Sequence, residues 1–546
     1  MTRLAILSGI LLTLAACAPA ASTPAQSAAT DTAAAIAAIH GNAIRAHVRF
    51  LSSDLLEGRA PGTRGGQLAA EYIASEFERI GLQPVNGSYF QRVPILGVSA
   101  RPEAVRVSFS GSRGRIAADY TDDVVAWTLT QKPVAQANGP IVFVGYGINA
   151  PEYRWNDYAG VDAKGKLVMM LVNDPPATPQ EPDLFGARAM TYYGRWTYKL
   201  EEAERQGAAG VILVHTTESA SYPWNVVTGS WSGEQYQLPL KPDRTSPLAV
   251  ASWVTQDAAR RLLALGGQNL DSLTASAQRR GFRAVDTGVS GSYRLESEIR
   301  RLETANVVGL LPGKTDEVVI FSAHYDHLGV GPAVDGDSIY NGALDNGSGV
   351  AVILAAANGF AALKEPPQRG VLFMALAAEE SGLLGSAFYA ENPLFPLART
   401  AADLNIDMTH FLGRTSDIEQ LGGDRSTLGA DLDSVLTPLA MRATGDPHPE
   451  AGSFFRSDHF PFAKAGIPAL YFKSGDAVIG KPAGWGAEQL RAFNDKQYHQ
   501  PSDEFSDAFD WSTGEQLARI AFRLGYRIAN AAEAPKWLPT SEFQRQ

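Results

Sequence analysis

An α/β fold, with a mixed, largely parallel sheet flanked by helices, is predicted by three features of the stretch 317–408. Short apolar runs, Val318–Ala323, Val371–Ala377 and Leu404–Ile406, alternate with helical patterns, as in a parallel sheet. Each run leads into metal-competent side chains: His324, then Glu379 and Glu380, then Asp407. The Gly-rich loop Asn341–Gly349 opens an Ala-rich helix between the first two runs. Ligands of such sheets bind outside the carboxyl ends of the strands. Solvated turns are the plain alternative, but packing alone does not gather a His, an Asp and two adjacent Glu at one edge.

The 546-residue chain is too long for one ordinary core, so more than one domain is expected. A hydrophobic fraction of 45% and a charged fraction of 19% fit a globular protein, and a net charge of −11 argues against a nucleic-acid partner. Residues 1–17 read as an export leader: Arg3 precedes the apolar run Leu4–Ala16, which is too short to span a bilayer. It ends in Leu14-Ala15-Ala16-Cys17, which resembles a lipobox, with Cys17 as the lipidation site; cleavage near Ala20–Ser22 is the alternative. The expected location is the cell envelope, as a lipoprotein facing the periplasm, or otherwise periplasmic or secreted. Cys17 is the only cysteine, which excludes intrachain disulfides and thiolate metal ligands in the mature fold. Residues 18–35, rich in Ala, Ser, Thr and Pro, read as a flexible tether.

Residues 36–121 form the first part of the main domain. Ile39, Ala43, Ile44 and Val48 share one helical face, and Ala70, Ile73, Phe77 and Ile80 share another. Between them, Ser53–Gly66 is a Gly-rich loop that reads as a cap. Phe90–Leu96 and Ala104–Phe109 read as strands entering a sheet. From 122 to 278 strand-like patches dominate, including Pro140–Tyr146, Leu167–Val172 and Ala208–Val214, with no ligand-spaced cluster. This segment reads as an inserted β-rich domain, a lid or spacer; its lone His215 reads as structural. Residues 279–535 resume the main domain: Tyr293–Glu303 is a returning strand, Ile467–Phe472 another, and Thr513–Asn530 a closing helix. Residues 536–546 are a tail.

Without cysteine, a transition-metal site must use His and carboxylates, a mixture Zn²⁺ accepts. Five candidates, His324, Asp345, Glu380, Asp407 and His499, suit two ions better than one. One carboxylate would bridge, and the ions would share and activate a water. Asp345, in a Gly-rich turn just before a helix, is the natural bridge. Of the adjacent pair Glu379 and Glu380, one can bind metal while the other carries a proton from water to the leaving amine. Asp326, two residues past His324, could accept the imidazole's other N–H.

These motifs, His324-x-Asp326, Asp345-Asn346-x-Ser348-Gly349, Glu379-Glu380-x-Gly382-Leu383-Leu384-Gly385-Ser386, Asn405-Ile406-Asp407 and late His499, resemble the dinuclear zinc exopeptidases of metallopeptidase family twenty-eight. That family includes leucyl-type aminopeptidases and glutamate carboxypeptidase-like enzymes. The Asp54–Gly65 loop and Ser457-Asp458-His459 also match, so the resemblance covers about Ala38–Tyr120 and Ser297–Asn530. The insert resembles a protease-associated domain. The resemblance implies one zinc on His324, Asp345 and Asp407, another on Asp345, Glu380 and His499, and Glu379 as general base. It implies an aminopeptidase acting on peptides, with carboxypeptidase or glutaminyl cyclase activity as alternatives, and an envelope binding protein with structural zinc as the non-enzymatic one. Some relatives carry a transition-state tyrosine just before Ser-Asp-His, where this chain has Phe454, Phe455 and Arg456. Tyr471 or His459 could supply that donor; Asp458, His459, Arg456 and Tyr471 are the candidate substrate contacts. Arg456 and Lys473 are the cations that would receive a free carboxylate in a carboxypeptidase.

Overall fold

A computed structural model describes residues 32–220, 223–242, 244 and 247–544. The leader with Cys17 and most of the tether lie outside the described residues. Helix α1 (Gly41–Leu51) buries Ile44, Val48 and Leu51, one stripe at helical spacing. Helix α2 (Arg64–Ile80) starts at Thr63, whose hydroxyl accepts the Gly66 N–H at 3.2 Å, and stops at Gly81, where φ is 93°. Strand β1 (Phe90–Ala100) follows, and the chain then leaves the main domain.

The excursion is built on four neighbouring strands: β2 (Val134–Phe143), β3 (Leu167–Leu171), β4 (Gly210–His215) and β5 (Val250–Thr255). Each pairs in parallel with the next. Helix α3 (Trp196–Arg205) joins β3 to β4, and α4 (Gln256–Ala264) and α5 (Leu270–Ala277) follow β5. The insert is thus an α/β layer rather than the mostly β unit expected from its strand patches. Parallel strands need crossover connections, and α3 supplies the one between β3 and β4.

Strand β6 (Val285–Leu311) returns the chain over 27 residues. Its first half pairs with β2 and with Arg106–Gly111; its second half pairs with β1 and the main sheet. One sheet therefore runs through both parts of the molecule. Val105, Val107 and Phe109 lie in the insert's core, as do Phe282, Tyr293 and Leu295. The sequence boundaries at 122 and 278 thus fall inside this packed unit, and Ala104–Phe109 does not join the main sheet.

The main sheet continues with β7 (Val318–His324), helix α6 (Ser348–Ala361), β8 (Gly370–Leu376), β9 (Thr400–Asn405) and β10 (Ala469–Ser474). The order is β10-β9-β7-β8-β6, parallel until the antiparallel β8–β6 pair. All seven residues of β7 and of β8 are buried, as expected of strands covered on both faces. The Ala-rich α6 is buried almost all round, in a core shared with α1 and with the last helices, α7 (Trp485–Lys496) and α8 (Ser512–Asn530). This core fixes the carboxyl ends of β7, β8 and β9 beside the start of α6.

Candidate metal centre

At that edge the two oxygens of Asp345 face two different imidazoles. Oδ1 lies 3.3 Å from His324 Nε2, and Oδ2 lies 3.3 Å from His499 Nε2. His324 Nε2 is also 3.2 Å from Asp407 Oδ1, and His499 Nε2 is 3.2 Å from Glu380 Oε2. Glu379 joins His324 and Asp407 in one buried group whose ligand atoms lie within 4.8 Å of one another. The structure therefore brings together Glu379 and all five residues singled out as metal donors.

Backbone chemistry holds Asp345 in place. Asp503, four residues past His499, accepts the N–H groups of Leu344 at 2.9 Å and Asp345 at 3.0 Å, tying the two loops together. Asn346 accepts the Gly349 and Met408 N–H groups at 2.8 and 3.1 Å and donates to the Ile406 carbonyl at 3.0 Å. It thereby fastens the start of α6 to the segment carrying Asp407. Gly342 is needed for space and conformation: its φ is 56°, and a Cβ there would lie 2.2 Å from the Asp345 carbonyl oxygen.

Three further residues were given no role by the sequence analysis, although two of them, Arg59 and Ser457, stand in its motifs. Arg59, in the Gly-rich loop, is fully buried and donates to four main-chain carbonyls. Nε reaches Tyr325 at 2.7 Å, one terminal nitrogen reaches Leu51 and Asn341, and the other reaches Gly342 at 2.9 Å. Burial pulls its pKa down to about 10, against the pull of Asp503 and Asp326. His327, also buried, places Nδ1 2.7 Å from Glu380 Oε1, the oxygen that does not face His499. Ser457 donates to Asp407 Oδ2 at 2.7 Å and accepts from Asn405 at 2.7 Å. His327 lies three residues past the candidate ligand His324, which was the available signal.

Asp326 acts differently from expectation. His324 Nδ1 lies 3.2 Å from the Asp326 main-chain oxygen but 3.9 Å from its carboxylate. That carboxylate instead accepts the Glu379 N–H at 3.0 Å, so it orients the base-bearing turn rather than the imidazole. Asp458 is buried and accepts the Ser386 hydroxyl at 2.5 Å; burial raises its pKa to about 7. His459 is buried beside Phe454, and burial depresses its pKa to about 3. The Tyr471 hydroxyl donates to the Asp407 carbonyl at 2.6 Å. Two of the candidate substrate contacts, Asp458 and Tyr471, are thus committed to internal hydrogen bonds, while Arg456 is exposed. Lys473 is 3.3 Å from Glu419, hence paired.

The electrostatics test whether cations fit. Four carboxylates, Asp345, Glu379, Glu380 and Asp407, converge with three imidazoles, those of His324, His327 and His499, in a largely buried pocket. Burial, reinforced by Glu380, Asp407 and Asp458, pushes the Glu379 carboxyl well above its ordinary range, with His324 opposing. Against burial, His499 and His327 hold Glu380 down at about 2. Such crowding of like charge is the arrangement divalent cations neutralise. Nitrogen and oxygen donors without thiolate suit zinc.

The model of peptidase family M28 matches residues 306–524 of this chain. Among curated relatives, aminopeptidase YwaD of Bacillus subtilis (strain 168) is 23% identical over 369 residues, 65% of this chain and 62% of that one. Leucine aminopeptidase 2 of Trichophyton equinum is 28% identical over 290 residues, 50% of this chain and 52% of that one. The chain therefore spans between half and two thirds of these relatives' lengths. Among solved structures, an aminopeptidase from Aneurinibacillus sp. strain AM-1 superposes with a TM-score of 0.51 at 19% identity, covering 92% of this chain and 97% of that one, and shares the fold.

Proposed function

We propose that this protein is a zinc-dependent aminopeptidase that removes N-terminal residues from peptides. The carrying observation is Asp345, whose two oxygens each face a separate imidazole at 3.3 Å. His324, Asp345 and Asp407 would hold one zinc, and Asp345, Glu380 and His499 the other. When bound, the pair supplies Lewis acidity at the scissile carbonyl and acidifies a shared water. Glu379 is buried at the same site, and its raised affinity for protons in the bare pocket suits a group that takes a proton from water and returns it to the leaving amine. Ser457 and His327 hold the outer oxygens of Asp407 and Glu380, leaving the inner ones to face the imidazoles. The aminopeptidase names of the relatives support this direction of cleavage. Anchoring at the envelope through Cys17, and a protease-associated role for the insert, belong to the same proposal.

The test offers one peptide with its N-terminus free or acetylated and its C-terminus free or amidated, with and without chelator. The proposal expects chelator-sensitive release of the first residue, lost on acetylation and kept on amidation. Loss on amidation instead would mean a carboxypeptidase, and release of a cyclised N-terminus a cyclase.

A further inference from the structure

The insert holds a second crevice that this chemistry does not use. Alternate residues of β3 separate onto two faces: Val168 and Met170 meet one core, Leu167, Met169 and Leu171 the other. Helix α3 packs on the first face through Leu200 and Ala203. Helices α4 and α5 pack on the second through Ala258, Leu262, Leu270 and Leu273. The helices that follow β3 and β5 thus lie on opposite faces, and a crevice opens outside the carboxyl ends of the parallel strands.

A cavity of about 400 Å³ lies there. The segments leaving all four strands line it: Tyr146 after β2, Asp174 after β3, Thr216 after β4 and Gln256 after β5, with Thr274 of α5 closing the side. Its size is that of a small-ligand site. Its charge is mixed: carboxylates at Asp174 and Glu218, a guanidinium at Arg188, and an apolar floor including Val214. Such walls match a small zwitterion, with an ammonium for the acids and a carboxylate for the arginine. Asp174 accepts the N–H and hydroxyl of Thr191 at 2.7 and 2.8 Å and feels the buried Lys199 ammonium, and its carboxylate keeps lone pairs that a second ammonium can use.

The same loop touches the main domain. Arg188 pairs with Glu450 at 3.0 Å, and the Met190 N–H donates to the Pro449 carbonyl at 3.0 Å. The Tyr192 ring lies 4.9 Å from that of Phe460 and 5.9 Å from that of Phe455, two residues before Ser457. We propose that this cavity binds a free α-amino acid or dipeptide as its zwitterion, and that occupancy is relayed through 188–192 to the segment whose Ser457 steadies Asp407. The ligand class rests on the proposed function, since these are the products and smallest substrates of an aminopeptidase; the cavity does not.

The experiment titrates full-length, zinc-loaded Glu379→Gln protein with leucine and with Leu-Leu by calorimetry, alone and combined with Thr274→Trp, which fills the cavity, or Arg188→Ala, a surface truncation. We expect a binding event that persists in chelator, with Thr274→Trp abolishing it and Arg188→Ala weakening it at least tenfold. Leucine but not Leu-Leu would identify a free amino acid as the ligand, and the reverse a dipeptide. With Glu379 intact, added ligand should shift KM for a chromogenic substrate, and Arg188→Ala should remove that shift. Binding that vanishes with chelator, or that both cavity variants leave intact, would overturn the proposal. So would the absence of any binding from a folded protein. Cavity binding in a chain that cleaves no peptide would instead fault the aminopeptidase reading alone.

Discussion

Replacing Arg59 with Met should damage the metal centre without touching a single proposed ligand. The buried guanidinium gathers carbonyls from three places: Leu51 at the end of α1, Tyr325 beside His324, and Asn341 and Gly342 in the loop leading to Asp345. Methionine fills much of the same volume but leaves all four acceptors unpaired. At roughly 1 kcal/mol or more for each buried group left unsatisfied, the cost is about 4 kcal/mol. Arg59→Lys keeps the charge but not the planar fork, and should recover about half of that, ~2 kcal/mol. The assay is denaturant unfolding of the metal-free protein, paired with zinc titration against a competing chelator. Both variants should unfold earlier, in the order Met before Lys, and the Met variant should bind zinc more weakly because the Asp345 loop has lost its clamp. A Met variant within about 0.5 kcal/mol of the parent, the range of an ordinary surface change, with unchanged zinc affinity, would refute the clamp.

Glu379→Gln should retain both zinc ions and lose most turnover, whereas Asp345→Ala should lose both ions; metal counting beside kcat checks the pair, and near-normal kcat in the first would remove Glu379 as the base. His327→Ala frees Glu380 Oε1 from its 2.7 Å partner and should weaken zinc binding 10- to 100-fold, the usual range for such outer contacts, as read by chelator competition. His47, buried with Nδ1 2.8 Å from the Tyr72 hydroxyl, has its pKa lowered by burial from 6.5 to about 4. Between those values the unfolded chain takes up a proton that the folded chain refuses, so the contribution of His47 is intact above pH 6.5 and drains away as pH falls towards 4. At 1.36 kcal/mol per pKa unit this is about 2 kcal/mol by pH 5. His47→Leu should flatten the acid sensitivity of unfolding by that amount, and an unchanged pH profile would contradict it.

The sequence exposed His324, Glu380 and Asp407 because each follows a short apolar run, where a strand has nowhere to go but out of the core, whereas Asp345 stood out by its Gly-rich turn before a helix. Arg59 stayed hidden for the opposite reason. Arginine in a Gly-rich loop normally points to solvent, and only the tertiary fold brings carbonyls from Leu51, Tyr325, Asn341 and Gly342 around it. Asp503 was equally opaque, since capping Leu344 and Asp345 from more than 150 residues away leaves no local periodicity. The edges of the insert were misjudged because β6 alternates buried and exposed residues through Leu295 and then loses that rhythm between Glu298 and Ala305. Local pattern reading breaks such a strand into pieces, though hydrogen bonding keeps it whole.

That unbroken strand has a mechanical consequence. Val285–Leu311 is a shared beam, clamped to β2 at one end and to β1 and β8 at the other. A free hinge at the junction would have to tear a row of backbone pairs, so the insert can twist or flex with the sheet but cannot swing away like a door. An attempt to excise the insert would saw through the beam, leaving β1 and the stump of β6 as ragged, sticky margins.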